Sequence, residues 1–119
     1  MSTTITGNYG EDLACEYLKK QGYKILERNY RIRGGEIDIV AKDKETLVFV
    51  EVKARWSHEY GLPAESMTKW KIKYLIKTAA FYVMKVGWGD KEYRLDFISI
   101  DFADSKENPQ IELIKNITT

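Results

Sequence analysis

Two short segments rich in Ile, Val and Phe, Glu36–Lys42 and Leu47–Lys53, stand either side of the polar tetrapeptide Asp43-Lys44-Glu45-Thr46. No other feature constrains the fold as much. β-Branched and aromatic residues favour the pleated backbone, and a polar break of this length joins antiparallel neighbours, so the two segments should form a β-hairpin. The connection has either two residues (Lys44, Glu45) or four (Asp43 to Thr46), and both lengths give one register, with Asp38 opposite Glu51 and Glu36 opposite Lys53. Opposed residues share a face of the sheet. One face then carries Glu36, Asp38, Glu51 and Lys53, and the other Ile37, Ile39, Ala41, Val48, Val50 and Val52. Such a hairpin has a core side and a charged side.

Cβ atoms of directly opposed residues lie roughly 4.5–5.5 Å apart, so two facing carboxylates repel unless one is protonated or a cation bridges them. Asp38 and Glu51 supply the hard oxygen ligands that Mg²⁺ or Mn²⁺ takes, with a backbone carbonyl near Val52 and waters as further ligands. Lys53, two residues beyond Glu51 on the same face, is placed to hold an attacking water or to stabilise charge developing on a phosphoryl group. The cation would activate that water. Spacing alone describes a solvated charged face equally well, in which Glu36 and Lys53 form an ordinary cross-strand pair.

The remaining elements surround this hairpin. Between Asn8 and Gln21, Leu13, Ala14, Tyr17 and Leu18 cluster on one helical face, with Asn8 as a candidate N-cap and Gly22 as a C′ residue. Tyr23–Arg31 reads as a first strand with imperfect alternation. From Pro63, where a helix can begin, Trp70, Tyr74, Leu75, Ala79, Tyr82, Val83 and Val86 recur at helical spacing as far as Gly87. That spacing casts Trp70, Tyr74 and Tyr82 as packing residues before any base-stacking role. Tyr93–Asp101 and Ile111–Lys115 read as strands. The order αβββαβ, with a less definite last strand, is that of an α/β sandwich with a central mixed sheet flanked by helices.

The 119 residues suit a single domain and leave no room for a second. No window approaches the roughly 18 apolar residues of a membrane span, and the first residues are polar with no basic leader, which predicts a soluble, cytoplasmic protein without membrane partners. Cys15 is the only cysteine, so an intramolecular disulfide and a thiolate zinc cluster are excluded and the residue reads as a small buried hydrophobe. His58 is the only histidine, and without a second it reads as an exposed loop residue. The formal net charge is +1, yet between Lys53 and Lys77 six bases face two acids, the asymmetry a polyanion-binding face needs.

At this point a family resemblance becomes visible. Asp38 followed by Glu51-Val52-Lys53 is similar to the signature of PD-(D/E)XK nucleases. More closely, Gly10-Glu11 with Ala14, Tyr17 and Leu18, then Arg28-Asn29-Tyr30-Arg31, Gly35-Glu36-Ile37-Asp38, Phe49-Val50-Glu51-Val52-Lys53 with Arg55, and Arg94-Leu95-Asp96 resemble the YraN family of small bacterial proteins. The resemblance implies a restriction-endonuclease-like fold and a relation to archaeal Holliday-junction resolvases, which place an acid on the first helix ahead of the strand acids. It implies Asp38 and Glu51 as Mg²⁺ or Mn²⁺ ligands, Lys53 as the water-positioning base and Glu11 as a further metal or water contact. An acid in the first helical turn also suits the helix dipole. The signature's proline is missing, since Ile37 precedes Asp38; proline is not a ligand, so the departure weighs little.

Glu36 shares the proposed metal face, either around the ligands or neutralising Lys53. Arg55 and Lys69, which match the family pattern, are candidate phosphate contacts, with Arg31 and Arg33 beside the glycine turn. Lys69, Lys73 and Lys77 recur every four residues and form a stripe that either contacts phosphates or faces solvent. Asp96 matches the family without an evident chemical partner. These readings predict a metal-dependent endonuclease acting on structured or branched nucleic acid, DNA ahead of RNA, as a monomer or a homodimer. The alternative is a non-catalytic nucleic-acid-binding module of DNA repair or recombination.

Overall fold

The computed structural model describes residues 3–59, 61 and 67–118, and of residues 3–8 the backbone only. Helix α1 (Thr3–Lys20) leads into strands β1 (Lys24–Ile32), β2 (Gly35–Asp43) and β3 (Thr46–Arg55); helix α2 (Lys69–Lys85) follows, then β4 (Tyr93–Asp101) and β5 (Gln110–Ile114). The strands form one sheet in the order β1-β2-β3-β4-β5. β3 and β4 are parallel, and the other neighbours are antiparallel. The expected α/β sandwich with a mixed sheet is therefore present, and its last strand pairs with β4 one residue earlier than expected.

Each helix covers one face of the sheet. Ala14, Cys15 and Leu18 of α1 pack on Ile39, Ala41, Val48, Val50, Ile98 and Ile100. Leu75, Ala79 and Tyr82 of α2 pack on Ile37, Val40, Leu47, Phe49 and Leu95. The hairpin is thus buried on both sides, which corrects the expectation of one apolar and one charged face. A parallel β3-α2-β4 crossover lays a helix on the face that an isolated hairpin would leave to water.

α1 begins earlier than expected, so Asn8 lies within the helix and is not its cap. Its end is as expected: Gly22 takes φ 93°, the Tyr23 amide donates to the Leu18 carbonyl and the Gly22 amide to that of Lys19, a Schellman closure that sends the chain into β1. α2 starts after Thr68, whose side chain accepts from the Lys71 amide; Pro63, where the helix was expected to begin, lies outside the described residues. Trp70 does not join the core: it is 72% exposed, and Val86, past the helix end, is 48% exposed.

Two glycines mark where the helices come closest to the sheet. A Cβ on Gly35 would lie 2.2 Å from Thr78 Oγ1, and one on Gly10 would lie 3.3 Å from Ala54 Cβ. The first seats α2 against the start of β2 and the second seats α1 against the end of β3. The same end of the hairpin carries Asp38, Glu51 and Lys53.

Candidate functional site

β2 and β3 pair from Asp43↔Thr46 to Ile39↔Val50, so the connection has two residues. Lys44 there takes φ 56°. The ladder stops one residue short of Asp38, and the Asp38 carboxylate replaces the missing main-chain acceptor: the Val52 amide donates to its Oδ2 at 2.8 Å. A backbone N–H of Val52 thus meets the site directly.

The register still brings Asp38 and Glu51 together, with their carboxyl groups within hydrogen-bonding reach. Burial, then the hydrogen bond and the charge of Glu51, push the Asp38 carboxyl up to about 8, against the opposing Val52 N–H, and Glu11 adds to the rise. At neutral pH Asp38 favours its proton unless a cation arrives. A cationic group already reaches this pair from α2, since Lys71 Nζ lies 3.1 Å from Glu51 Oε2. Burial disfavours that ammonium, but its hydrogen bond to Glu51 and the charges of Glu51 and Asp38 outweigh the cost and raise its pKa.

Asp38 lines two cavities. The larger, about 280 Å³, lies on the α1 side and includes Glu11, Lys53 and Trp56; the smaller, about 120 Å³, lies on the α2 side with Glu36, Glu51, Lys71 and Tyr74. Glu51 and Lys53 therefore open into different cavities with Asp38 shared between them, where the sequence suggested one common face. Among the described residues Lys53 has no ion pair.

Glu11 accepts from Arg28 Nε at 2.9 Å and from Asn29 Nδ2 at 3.1 Å. Its position well inside α1 removes the helix-dipole reading. The strained φ of 54° at Asn29 sits beside this contact. Glu36 does not pair with Lys53; it meets Arg31 across β1 and β2 at 3.4 Å. Arg33 is exposed in the turn beside Gly34. Arg55 lies at the end of β3 outside both cavities, its buried Nε without a hydrogen-bond partner among the described residues. Lys69, Lys73 and Lys77 are exposed on α2, and the lysine that meets the acids is Lys71.

Lys71 is the residue that sequence reasoning missed, and a signal for it exists. It lies four residues before Leu75, on the line of the buried stripe Leu75, Thr78, Ala79 and Tyr82. A lysine on a core-facing stripe needs an acid to meet. His58 is an exposed loop residue, as expected, and its Nε2 pairs with Asp101 Oδ2 at 2.6 Å. Asp96 has partners in plenty. Completely buried, it accepts from the Tyr23 hydroxyl, the Arg94 guanidinium and the Asn116 amide.

The donor set fits Mg²⁺ or Mn²⁺ in kind, because oxygen ligands alone face the centre and two adjacent carboxylates gain from a dication. Among the described residues no group of three or more His, Cys, Asp and Glu side chains forms a metal cage. The protein would thus contribute Asp38 and Glu51, leaving the other positions to water and to a ligand's oxygens.

No helix among the described residues is long and apolar enough to cross a membrane. The chain is 51% identical to a UPF0102 protein of Persephonella marina over 100 residues, 84% of this chain and 86% of that one. A UPF0102 protein of Dehalococcoides mccartyi is 48% identical over 111 residues, 93% and 90% of the two chains. One of Clostridium botulinum (strain Loch Maree / Type A3) is 46% identical over 111 residues, 92% and 90%. A family model described as uncharacterised protein family UPF0102 matches residues 10–100, from the glycine that seats α1 through the acids of the hairpin to β4, and the chain belongs to that family, the YraN family that its motifs resemble.

Proposed function

We propose that the protein is a Mg²⁺- or Mn²⁺-dependent nuclease that hydrolyses phosphodiester bonds in structured or branched DNA. The observation that carries this reading is the half-buried Asp38 carboxyl held against Glu51 with its pKa pushed up to about 8, next to a lysine with no ion pair among the described residues. Holding two carboxylates together costs folding stability, and a catalytic cation is a physical reason to retain them.

Asp38 and Glu51 would hold the cation, and when bound it supplies positive charge at the phosphodiester and acidifies a water. Val52 N–H fixes Asp38 Oδ2. Lys53, in the cavity it shares with Asp38, is positioned to orient the water or to offset phosphoryl charge. Glu11, held by Arg28 and Asn29, lines the same cavity and orients water there. Lys71, 3.1 Å from Glu51 Oε2, would be the second cation for the phosphate.

One observation favours a second reading, a nucleic-acid-binding module that does not cut: the Lys71 ammonium satisfies Glu51 without any metal. Calorimetric titration of the wild type and Asp38→Asn with Mg²⁺ and Mn²⁺, alongside cleavage of fluorescent four-way-junction, flap, duplex and single-stranded DNA, separates the two. The nuclease reading requires metal binding and cutting that fall together in the variant, cutting by about a hundredfold or more. A wild type that binds neither ion, with or without DNA, leaves the binding module.

A further inference from the structure

Two tryptophans flank the acidic centre, and both are exposed. Trp56 lines the cavity with Asp38 and Lys53. It is 39% exposed, and one face of its indole lies on Phe102, 4.0 Å between centroids and 7° from parallel. Phe102 is itself buried and touches Tyr9 on another side. On the other flank, Trp70 is 72% exposed and stacks on Tyr74 at 5.8 Å and 17°. Tyr74 lines the cavity with Glu51 and Lys71.

Packing on Phe102 accounts for one face of Trp56 and leaves the other open, and it does not account for Trp70. A tryptophan left in water forgoes the burial that makes the residue worth having in a core. Each of these two is instead held flat by an aromatic ring beneath it, and the loop carrying Trp56 is pinned further by the His58–Asp101 pair. An immobilised aromatic ring beside a cavity that offers a lysine, Lys53 on one flank and Lys71 on the other, is an arrangement on which unpaired bases stack. A paired base inside a duplex offers no face to such a ring, because its neighbours already cover both sides.

We infer that Trp56 and Trp70 are stacking platforms for unpaired nucleobases on either side of the acidic centre, so that the site takes a single-stranded or frayed segment rather than an intact duplex. This rests on the reading of the face as a nucleic-acid site and names its substrate class. The strand passes over Asp38 with its phosphate at Lys53 and Lys71, and one base lies against the open face of each indole. Deoxyribose and ribose strands offer the same bases, so both are tested.

The experiment titrates Asp38→Asn protein with labelled dT and rU 15-mers, a single-strand flap and a blunt duplex, reading anisotropy and tryptophan quenching in the parent and in Trp56→Ala, Trp56→Phe and Trp70→Ala. Stacking predicts that single strand and flap bind more tightly than the blunt duplex and quench the indoles. It also predicts that each alanine variant weakens strand binding by about tenfold while duplex binding stays unchanged, and that Trp56→Phe recovers most of the loss. Trp70→Ala, at an exposed helix position, keeps the fold if Trp56→Ala does not. Equal binding of single strand and duplex, no strand binding at all, or alanine variants that bind the strand like the parent would each overturn the inference. Cleavage by wild type in Mg²⁺ is scored separately. A protein that grips strands through its indoles and cuts nothing upholds the platforms and refutes the nuclease. One that cuts duplex without using either indole does the reverse.

Discussion

The pKa of Asp38 gives the metal-free protein a pH dependence opposite in sign to that of Asp43 and Asp101, whose carboxyl groups are held below the ordinary range. Its folded value of about 8 lies above the ordinary unfolded carboxylate value, so the folded state binds the extra proton between the two. Stability contributed by this group is fully present below the unfolded pKa, about 4, and is lost as pH rises through about 8. Thermal melts in EDTA should therefore decline between about pH 5 and pH 8, by up to a few kcal/mol in stability. Asp38→Asn should lack this slope, and saturating Mn²⁺ should flatten it in the wild type. An identical slope in Asp38→Asn would assign it to another group. Lys71→Met tests the residue the sequence left unmarked. Without the ammonium on Glu51, affinity for Mg²⁺ should rise several-fold by calorimetry, since a competing cation is gone, while cleavage falls about tenfold or more because the phosphate loses a partner. The meeting of Asp38 with Glu51 was legible in the sequence because the hairpin register depends only on neighbouring residues, whereas Lys53 opens into the other cavity. Lys71 was not legible, because its meeting with Glu51 depends on how α2 lies across the sheet.

At the scale of elements, the approach of α2 to β2 decides whether Lys71 and Tyr74 reach the centre. Gly35 permits that approach, since a Cβ there would collide with Thr78 Oγ1 at 2.2 Å and crowd its Cγ2 at 3.0 Å. Gly35→Ala should destabilise the fold by roughly 1–3 kcal/mol in urea melts, and should loosen the Lys71–Glu51 contact. Thr78→Ala removes both colliding atoms, so the double variant should recover much of that loss. A double variant no better than the sum of the single changes would mean that the helix was displaced for another reason. Most elements were legible, because local periodicity and glycine signals set them: the Schellman closure at Gly22 and the strand Tyr93–Asp101 follow the sequence directly. The starts of both helices were not. Asn8 and Pro63 are good starting residues in isolation, yet α1 continues upstream of the one, and Thr68 supplies the cap that the other was expected to foreshadow.

For the whole molecule, the buried carboxylate of Asp96 acts as a clamp. It gathers Tyr23 from the start of β1, Arg94 from β4 and the Asn116 amide past β5, while Arg94 also reaches Asp43 at the hairpin turn at 2.8 Å. Asp96→Ala would take an acceptor from the half-buried Arg94 guanidinium, the Tyr23 hydroxyl and the Asn116 amide, and should cost roughly 3–5 kcal/mol in chemical denaturation, with Mg²⁺ affinity of the folded protein unchanged. Loss of metal binding without loss of stability would instead place Asp96 in the site. Arg94 also holds the Asp43 carboxyl below its ordinary range, so that contribution is present at neutral pH and is lost as pH falls through the lowered pKa. What the sequence by itself determined is what nearest neighbours determine: the hairpin, its register, the facing acids and the order of elements. Only the tertiary structure decided that both hairpin faces are buried, that Glu36 belongs to Arg31 rather than Lys53, that Asp96 is a hub and that Trp70 stays in water. The reason is physical. Register follows from a short turn, whereas burial and charge partners follow from which helix covers which face, and that is settled by the packing of residues far apart in the chain.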